Sequence, residues 1–299
     1  MTSTAEREAV DDAPNPIGLD GIEYIEYATS KPQALGTILE TMGFKPVARH
    51  RSREILLYRQ GPMNVVVNAH AGATHGARIE RPSRELAEVP RISAVALRVR
   101  DARAAYARVL ERGAWDVSMH AQVMELNIPA IHGPGGSHIY FVDRYREFSI
   151  YDIDFVVIPT VNPKPAALAD LHFFGLVQYI GRDRTDDWIA FYRELFGFTV
   201  LGDEQRFGIL PKGKLLKSPC GQFYFQLIEP APTTVVAEDV ELFHRVGFGT
   251  PDVPAAIAQL RRNGVEFFES ATVPMDKRGA LTRSYLGSVL FELVHDPRS

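Results

Sequence analysis

Hydrophobic and polar residues alternate along the chain in a pattern that occurs four times. In the stretch "GIEYIEYATSKPQALGTILETMGFKPVARHR" (21–51), apolar residues first recur at every second position, as in a half-buried strand. They then take helical spacing between Leu35 and Met42, and the helical pattern ends at Gly43. Related stretches begin at residues 91, 173 and 241. Each predicts a strand, a helix that ends at a glycine, and a second strand.

The four units alternate as A-B-A-B. The stretches "RVRDARAAYARVLERGAWDV" and "GTPDVPAAIAQLRRNGVEFF" share an aspartate that can cap the helix, and "LGTILETMGFKPV" is similar to "IAFYRELFGFTVL". Each unit continues into further strand-like segments, such as "REILLYRQ" and "QFYFQLIEP". Four βαβββ units predict an α+β protein of two domains, in which each pair of modules forms a curved mixed sheet with its helices outside.

The domain bounds follow from composition. The polar, acidic start of the chain predicts a disordered segment at 1–16. The N-terminal domain is then expected at 17–157 and the C-terminal domain at 171–299. The proline-rich stretch "IPTVNPKPAALAD" at 158–170 is the expected linker.

Charge and composition exclude several classes of protein. The 299 residues are 45% hydrophobic and 23% charged, as in ordinary globular proteins, and the formal net charge is -4. Nothing in this balance favours binding to nucleic acid or to an anionic membrane. The single cysteine, Cys220, excludes an intramolecular disulfide framework, and no signal peptide or membrane-spanning stretch is visible. We therefore expect a cytoplasmic protein.

Long motifs in both halves resemble one family. The stretches "GLDGIEYIEYAT", "MGFKPVARHRSREILLYRQGPMNVVVN" and "LNIPAIHGPGGSHIYFVDRYREFSIYDIDFV" in the first half, with "KSPCGQFYFQLIEP" and "GSVLFELVHD" in the second, resemble bacterial 4-hydroxyphenylpyruvate dioxygenases. These enzymes belong to the vicinal oxygen chelate superfamily. The resemblance implies that the first domain is structural and that the second encloses a small-molecule pocket. It also implies an Fe(II) site of two histidines and one carboxylate, which leaves positions open for a 2-oxo acid and oxygen.

This chain departs from the family pattern at two of the three iron ligands. The motif "SVLFELVHD" places Glu292 at the carboxylate position, but ungapped matching puts Gly175 and Arg245 where the family has histidines. His172 lies three residues before the first position and His244 one residue before the second. An odd offset turns a side chain to the other face of an undistorted strand. Both histidines are therefore expected to face away from the pocket.

Two interpretations of the site remain open. In the first, the Arg245 guanidinium pairs bidentately with Glu292 in place of the metal and repels Fe(II), so no cofactor is expected. In the second, a β-bulge in each strand turns the histidines inward, and His172, His244 and Glu292 bind Fe(II). The family's long segment before the last strand and its closing C-terminal helix have no counterpart here, which speaks against its reaction.

Other pocket residues follow from the same alternation and from the resemblance. They are Gln226 and Ile228, at substrate-contacting positions of the family, with Tyr224, Val177 and Tyr179 on the same face and Gly175 leaving room. The sequence predicts an enzyme for a small aromatic or cyclic carboxylic acid that uses Arg245 and Glu292 in lyase, isomerase or decarboxylase chemistry. The alternatives are an Fe(II)-dependent dioxygenase of a 2-oxo acid and a non-catalytic ligand-binding protein. Exposed edge strands also make a homodimer possible.

Overall fold

Two eight-stranded mixed sheets form the body of the protein. The computed structural model describes residues 15–69, 89–117, 126–202, 208, 213–230, 241–269 and 275–297. All strands of the first sheet lie between residues 19 and 157, and those of the second lie between residues 172 and 295. Each sheet contains two βαβββ modules. The predicted fold class of two α+β domains is therefore confirmed.

The first sheet has the strand order β6-β7-β5-β1-β4-β3-β2-β8. Its strands are β1 (Leu19–Ala28), β2 (Lys45–His50), β3 (Ile55–Gln60), β4 (Met63–Asn68), β5 (Arg91–Val99), β6 (Ala130–His132), β7 (His138–Val142) and β8 (Phe155–Val157). Its helices are α1 (Pro32–Thr41), α2 (Ala102–Glu111) and the short α3 (Ile150–Asp154).

The second sheet has the order β10-β11-β12-β9-β13-β16-β15-β14. Its strands are β9 (His172–Tyr179), β10 (Thr199–Val200), β11 (Lys214–Lys217), β12 (Tyr224–Ile228), β13 (Leu242–Thr250), β14 (Phe267–Phe268), β15 (Gly279–Thr282) and β16 (Phe291–His295). Helices α4 (Thr185–Phe196) and α5 (Val253–Arg262) cover one face.

The first strands of the two modules pair at the centre of each sheet. Strand β1 is antiparallel to β5, and β9 is antiparallel to β13. Each central strand has a parallel neighbour on its other side, β4 and β7 in the first sheet and β12 and β16 in the second. Side chains from four strands therefore meet on the face opposite the helices.

Two β-bulges interrupt the central pairing of the second sheet. His244 is an extra residue on β13, because Phe243 pairs with Gln178 while Arg245 pairs with Val177. Such an insertion changes which face of the sheet the neighbouring residues occupy.

The second bulge lies on β9. Phe174 is the extra residue here, because Phe173 pairs with Phe248 and Gly175 pairs with Gly247. Both bulges lie beside the residues expected to form the site.

The first sheet has bulges at the equivalent positions. Glu23 is the extra residue on β1, and Ser93 is the extra residue on β5. Aligning the two registers makes Glu23 equivalent to Phe174 and Ser93 equivalent to His244. The bulges therefore belong to the repeated architecture and are not peculiar to one domain.

Helix boundaries follow the sequence signals. The Asp101 carboxylate accepts a hydrogen bond from the Ala104 amide at 2.8 Å, and Asp252 accepts one from Ala255 at 2.9 Å. The predicted N-caps of α2 and α5 are therefore confirmed. Gly197, which follows α4, has φ 79°, a left-handed conformation that a residue with a side chain adopts at a cost.

The helix-covered faces of both sheets share one hydrophobic core. The ring of Phe248 lies 5.9 Å from that of Phe44 in the other domain, and Phe141 stacks on Phe196 at 6.3 Å between centroids. Asn263 also donates a hydrogen bond to the Thr41 carbonyl oxygen at 3.2 Å. The faces opposite the helices therefore lie away from the contact between the domains.

The expected linker is bound to the N-terminal domain along its length. The Pro163 carbonyl oxygen accepts a hydrogen bond from Arg59, and the Gly61 amide donates to the Pro165 carbonyl oxygen. Most of the segment expected to be disordered, residues 1–14, lies outside the described residues; Asn15 bonds to both backbone groups of Leu19. None of the helices that the structure describes is long and apolar enough to cross a membrane.

Replacing Phe248 with alanine tests the shared core. The ring is buried against Phe44, Phe173 and Phe291, so its loss is expected to lower the free energy of unfolding by about 3–5 kcal/mol. The matched control is Phe268→Ala on the exposed strand β14, where a change within about 0.5 kcal/mol is expected. Urea denaturation measures both, and equal losses in the two variants would contradict a core shared across the domains.

Candidate functional site

The predicted pocket residues lie on one face of two neighbouring parallel strands. The register of β9 and β12 pairs them directly: Gly175 with Tyr224, Val177 with Gln226, and Tyr179 with Ile228. Gln178, which alternates with these residues on β9, faces the helices and accepts a hydrogen bond from the Tyr192 hydroxyl. The six residues therefore form two adjacent rows on the face that the helices leave open.

A buried ion pair lies beside these rows. Arg245 Nε donates to Glu292 Oε2 at 3.0 Å, and the two side chains are only 3% and 5% exposed. The sequence predicted a bidentate contact, whereas the structure has this one hydrogen bond. Arg245 Nη1 lies 3.4 Å from His244 Nδ1, and Nη2 has no hydrogen-bond partner among the residues that the structure describes.

Burial and charge act on Glu292 in opposite directions. Burial raises the pKa of its carboxyl group above the ordinary value of 4.5, and the Arg245 guanidinium and its hydrogen bond lower it without cancelling the rise. Gly208 covers the other oxygen, since a Cβ atom built there would lie 2.5 Å from Glu292 Oε1. The carboxylate is therefore enclosed and depends on Arg245 for its charge.

Gly175 has a backbone role besides leaving room in the pocket. A Cβ atom built on this residue would collide with the carbonyl oxygen of Tyr224 on the neighbouring strand. The first family ligand position thus cannot carry a histidine without a shift of β9 or β12.

The expectation that His244 faces away from the pocket is wrong, because the strand is bulged at this residue. The imidazole stacks on the Tyr179 ring with the centroids 4.0 Å apart and the planes at 11°. Tyr179 is on the pocket face, so His244 is there as well, beside Arg245. Burial, with the adjacent Arg245 charge, lowers the pKa of His244 to about 4, so the ring is neutral at pH 7.

His172 also lies on the pocket face, contrary to the parity argument. The bulge at Phe174 restores the parity between His172 and Gly175. The imidazole lies over Gly249 and contacts Asp296, with Nε2 3.1 Å from Oδ2, while Nδ1 is 3.2 Å from the Asp170 carbonyl oxygen. His172 is thus held at the end of the sheet by a carboxylate other than Glu292.

The side chains present do not fit the iron site that the resemblance implies. Within the described parts of the chain, no three histidine, cysteine, aspartate or glutamate side chains come together in a way that holds a metal ion. Arg245 fills the place beside Glu292, His244 stacks on Tyr179, and His172 binds Asp296. A cation beside the remaining carboxylate is the opposite of what Fe(II) requires.

Sequence reasoning missed two residues of this face. The ring of the bulged Phe174 stacks on Tyr224 at 4.8 Å and fills part of the pocket beside Val294. Asp296, the partner of His172, follows β16 and has the same parity along the chain as Glu292. That parity could have predicted from the sequence that Asp296 faces the pocket side. No local signal marks Phe174, because the bulge is set by the pairing of β9 with β13.

Comparisons with known proteins agree with this architecture. The N-terminal model of hydroxyphenylpyruvate dioxygenase matches residues 13–156, and the glyoxalase/bleomycin resistance protein/dioxygenase superfamily model matches residues 172–282. The chain is 41% identical to 4-hydroxyphenylpyruvate dioxygenase of Pseudomonas sp. strain P.J. 874 over 187 residues, which are 62% of this chain. The match spans about half the length of that relative, 50%.

Two longer matches cover most of the chain. One is to 4-hydroxyphenylpyruvate dioxygenase of Pseudomonas aeruginosa, at 32% identity over 88% of this chain and 75% of the relative. Another is to 3-dehydroshikimate dehydratase of the same species, at 32% identity over 87% of this chain but only 42% of the relative. Two matched domains and a relative covered over three quarters of its length place this chain in the 4-hydroxyphenylpyruvate dioxygenase family of the glyoxalase/bleomycin resistance protein/dioxygenase superfamily.

Proposed function

We propose that the C-terminal domain binds a small aromatic or cyclic carboxylic acid at Arg245 and transforms it without Fe(II). The observation that carries this proposal is the buried guanidinium, which uses Nε for Glu292 and leaves Nη2 without a partner among the described residues. An unpaired buried donor on a charged group is costly, and a carboxylate ligand would supply the missing acceptor.

The reaction class follows from the groups at the site. Glu292 shares its guanidinium with the bound carboxylate, so the ligand weakens the attraction that keeps Glu292 ionised. A carboxyl group whose pKa is raised by burial holds its proton more readily than an exposed one, which suits it to act as a general acid or base. Proton transfer of this kind is sufficient for some lyase, isomerase and decarboxylase steps, and it needs no metal.

Aromatic and apolar residues beside the ion pair favour a flat ring on the acid. Tyr224 and the stacked Phe174 form an aromatic wall, and Val177 lies opposite Arg245 in the sheet. Gln226 and Ile228 line the next strand on the same face.

The names of relatives support an acid of this kind. 4-Hydroxyphenylpyruvate is an aromatic carboxylic acid and 3-dehydroshikimate a cyclic one. The chain covers 42% of the dehydratase, so the activity in that name is not transferred to it.

One observation favours the second candidate, an Fe(II)-dependent dioxygenase of a 2-oxo acid. The two bulges that this function requires are present, and they place His172 and His244 on the pocket face with Glu292. The histidines would have to leave Asp296 and Tyr179, and Arg245 would have to leave Glu292. The third candidate, ligand binding without catalysis, shares every feature of the first except the proton transfer.

Metal content separates the first two candidates. After anaerobic incubation with Fe(II) and desalting, elemental mass spectrometry is expected to find far less than one iron per chain, because Arg245 repels the cation. Glu292→Gln, treated in parallel, gives the level of nonspecific iron. Near-stoichiometric iron in the natural protein that disappears in Glu292→Gln would restore the dioxygenase with His172, His244 and Glu292.

Ligand binding tests the role of Arg245. In calorimetric titrations with 4-hydroxyphenylpyruvate and 3-dehydroshikimate, we expect at least one acid to bind and Arg245→Gln to weaken it by roughly 10- to 150-fold, the value of charge-assisted hydrogen bonds. The matched control is Arg283→Gln, which breaks the exposed pair with Glu266 and should leave affinity unchanged.

Turnover of the bound acid separates an enzyme from a binding protein. Product formed without added metal, reduced roughly 100- to 10,000-fold by Glu292→Gln while binding persists, would identify Glu292 as the acid or base. Binding without any product would favour the third candidate, and unimpaired turnover in Glu292→Gln would remove Glu292 from the mechanism.

The ion pair is also testable through stability. Removing one partner of a buried pair costs about 3–5 kcal/mol, so Arg245→Met should lower the free energy of unfolding by that order and Arg245→Met/Glu292→Leu by less.

The pKa of Glu292 is raised in the folded state and rises further without Arg245, so stability should fall as pH increases above about 4.5. We expect this slope to be steeper in Arg245→Met than in the natural protein and absent in the double variant; parallel pH profiles would contradict the pairing.

A further inference from the structure

A cavity in the N-terminal domain lies at the edge of the first sheet, in the other domain from the candidate pocket. It has a volume of about 510 Å³ and is formed by the end of β7, the start of α2 and the chain that leads into β6. This volume is in the range of pockets that hold small organic molecules. The domain for which the resemblance implies a structural role therefore has room for a ligand of its own.

The floor of this cavity is apolar and partly aromatic. Phe141 and Val142, the last residues of β7, are buried, as is Ile150 at the start of α3. The Tyr106 ring on α2 lies 6.5 Å from the Phe141 ring between centroids, with the planes at 57°. A floor of this kind suits an aromatic or aliphatic group.

Four charged side chains surround the floor, and their formal charges balance. They are two arginines and two aspartates, Arg103, Arg144, Asp116 and Asp143. Each carboxylate accepts a hydrogen bond from a neutral donor: Asp143 Oδ2 from the Ala102 amide at 3.0 Å, and Asp116 from the Tyr106 hydroxyl. Burial, with the hydrogen bond and charge of Asp116, raises the pKa of Tyr106 to about 12, so the hydroxyl keeps its proton at pH 7.

The two guanidinium groups are available to a ligand. Across the ranges of the chain that the structure describes, the side chains of Arg103 and Arg144 make neither a hydrogen bond nor an ion pair. Arg144 follows Asp143 directly, and Arg103 follows Ala102, whose amide bonds to Asp143. This hydrogen bond therefore brings two cations and one carboxylate to the same end of the cavity.

We propose that this cavity binds a free α-amino acid with an apolar side chain. Arg103 and Arg144 bind its carboxylate, Asp143 binds its ammonium group, and the side chain lies on the floor. A plain carboxylic acid would meet two carboxylates here and a plain amine two guanidinium groups, whereas a zwitterion matches both. The inference does not rest on the proposed function, because it concerns another domain and other residues.

Calorimetric titration of the full chain with L-phenylalanine tests the site. Two analogues each lack one charged group: 3-phenylpropanoate lacks the ammonium group and 2-phenylethylamine lacks the carboxylate. Competition against L-phenylalanine measures each analogue at this cavity, whatever the other domain binds. We expect L-phenylalanine to bind saturably and each analogue to bind roughly 10-fold more weakly, or worse, because one charge-assisted contact is missing.

Substitutions assign the binding to this cavity. Arg103→Gln and Arg144→Gln should each weaken L-phenylalanine roughly 10-fold or more, because a charge-assisted hydrogen bond to its carboxylate is lost. The matched control is Arg193→Gln on α4, an exposed arginine far along the chain, which should leave the affinity unchanged. Arg245→Gln should also leave it unchanged, which separates this site from the pocket of the second domain.

Asp143→Asn tests the ammonium contact and keeps an acceptor for the Ala102 amide, so the start of α2 should stay intact by circular dichroism. It should weaken L-phenylalanine but not 3-phenylpropanoate, which has no ammonium group. The proposal is overturned if L-phenylalanine does not saturate, if either analogue competes as an equal, or if both arginine variants bind like Arg193→Gln. A loss in Arg245→Gln as large as in Arg144→Gln would overturn it as well.

Discussion

The antiparallel contact between β9 and β13 sets which of their side chains face the candidate pocket. It joins the two modules of the second domain, and its two bulges decide which residues face the open side of the sheet. Because of them, His244 and Arg245 lie side by side, and Phe174 shares the face of Gly175. The same contact between β1 and β5 carries the same bulges, so the constraint belongs to the repeat and not to one ligand.

The sequence was sufficient for the fold and for which residues of β9 and β12 share a face, and insufficient for the orientation of the two histidines. The period of the hydrophobic pattern, the caps at Asp101 and Asp252, and the glycines after α1, α2, α4 and α5 are local signals, and the structure follows them. Parity counting also placed Arg245 near Glu292. It failed for His172 and His244, because a bulge depends on how two strands distant in sequence align, and nothing in either strand alone records it.

The two domains treat buried carboxylates in different ways. Glu292 has the charge of Arg245 at hydrogen-bond distance, and Glu23 has that of Arg98. Glu26 instead receives neutral hydrogen bonds from Ser93 and Asn68. Ion pairs inside a protein fix geometry more than they add stability, so the paired positions are suited to holding a shape. Burial raises the pKa of Glu26 more than these bonds and the nearby Arg53 lower it, so its environment favours the neutral carboxyl group.

The backbone at Gly175 restricts which residues this position can carry. Its φ of 159° and its contact with the Tyr224 carbonyl oxygen bring β9 and β12 closer than a side chain allows. A histidine there would require the two strands to separate. Arg245 would also have to be replaced before iron could bind beside Glu292. Each change alone harms the packing or leaves Glu292 without its cation. A two-histidine site in this fold would therefore need coordinated changes at Gly175, at Arg245 and in the spacing of β9 and β12.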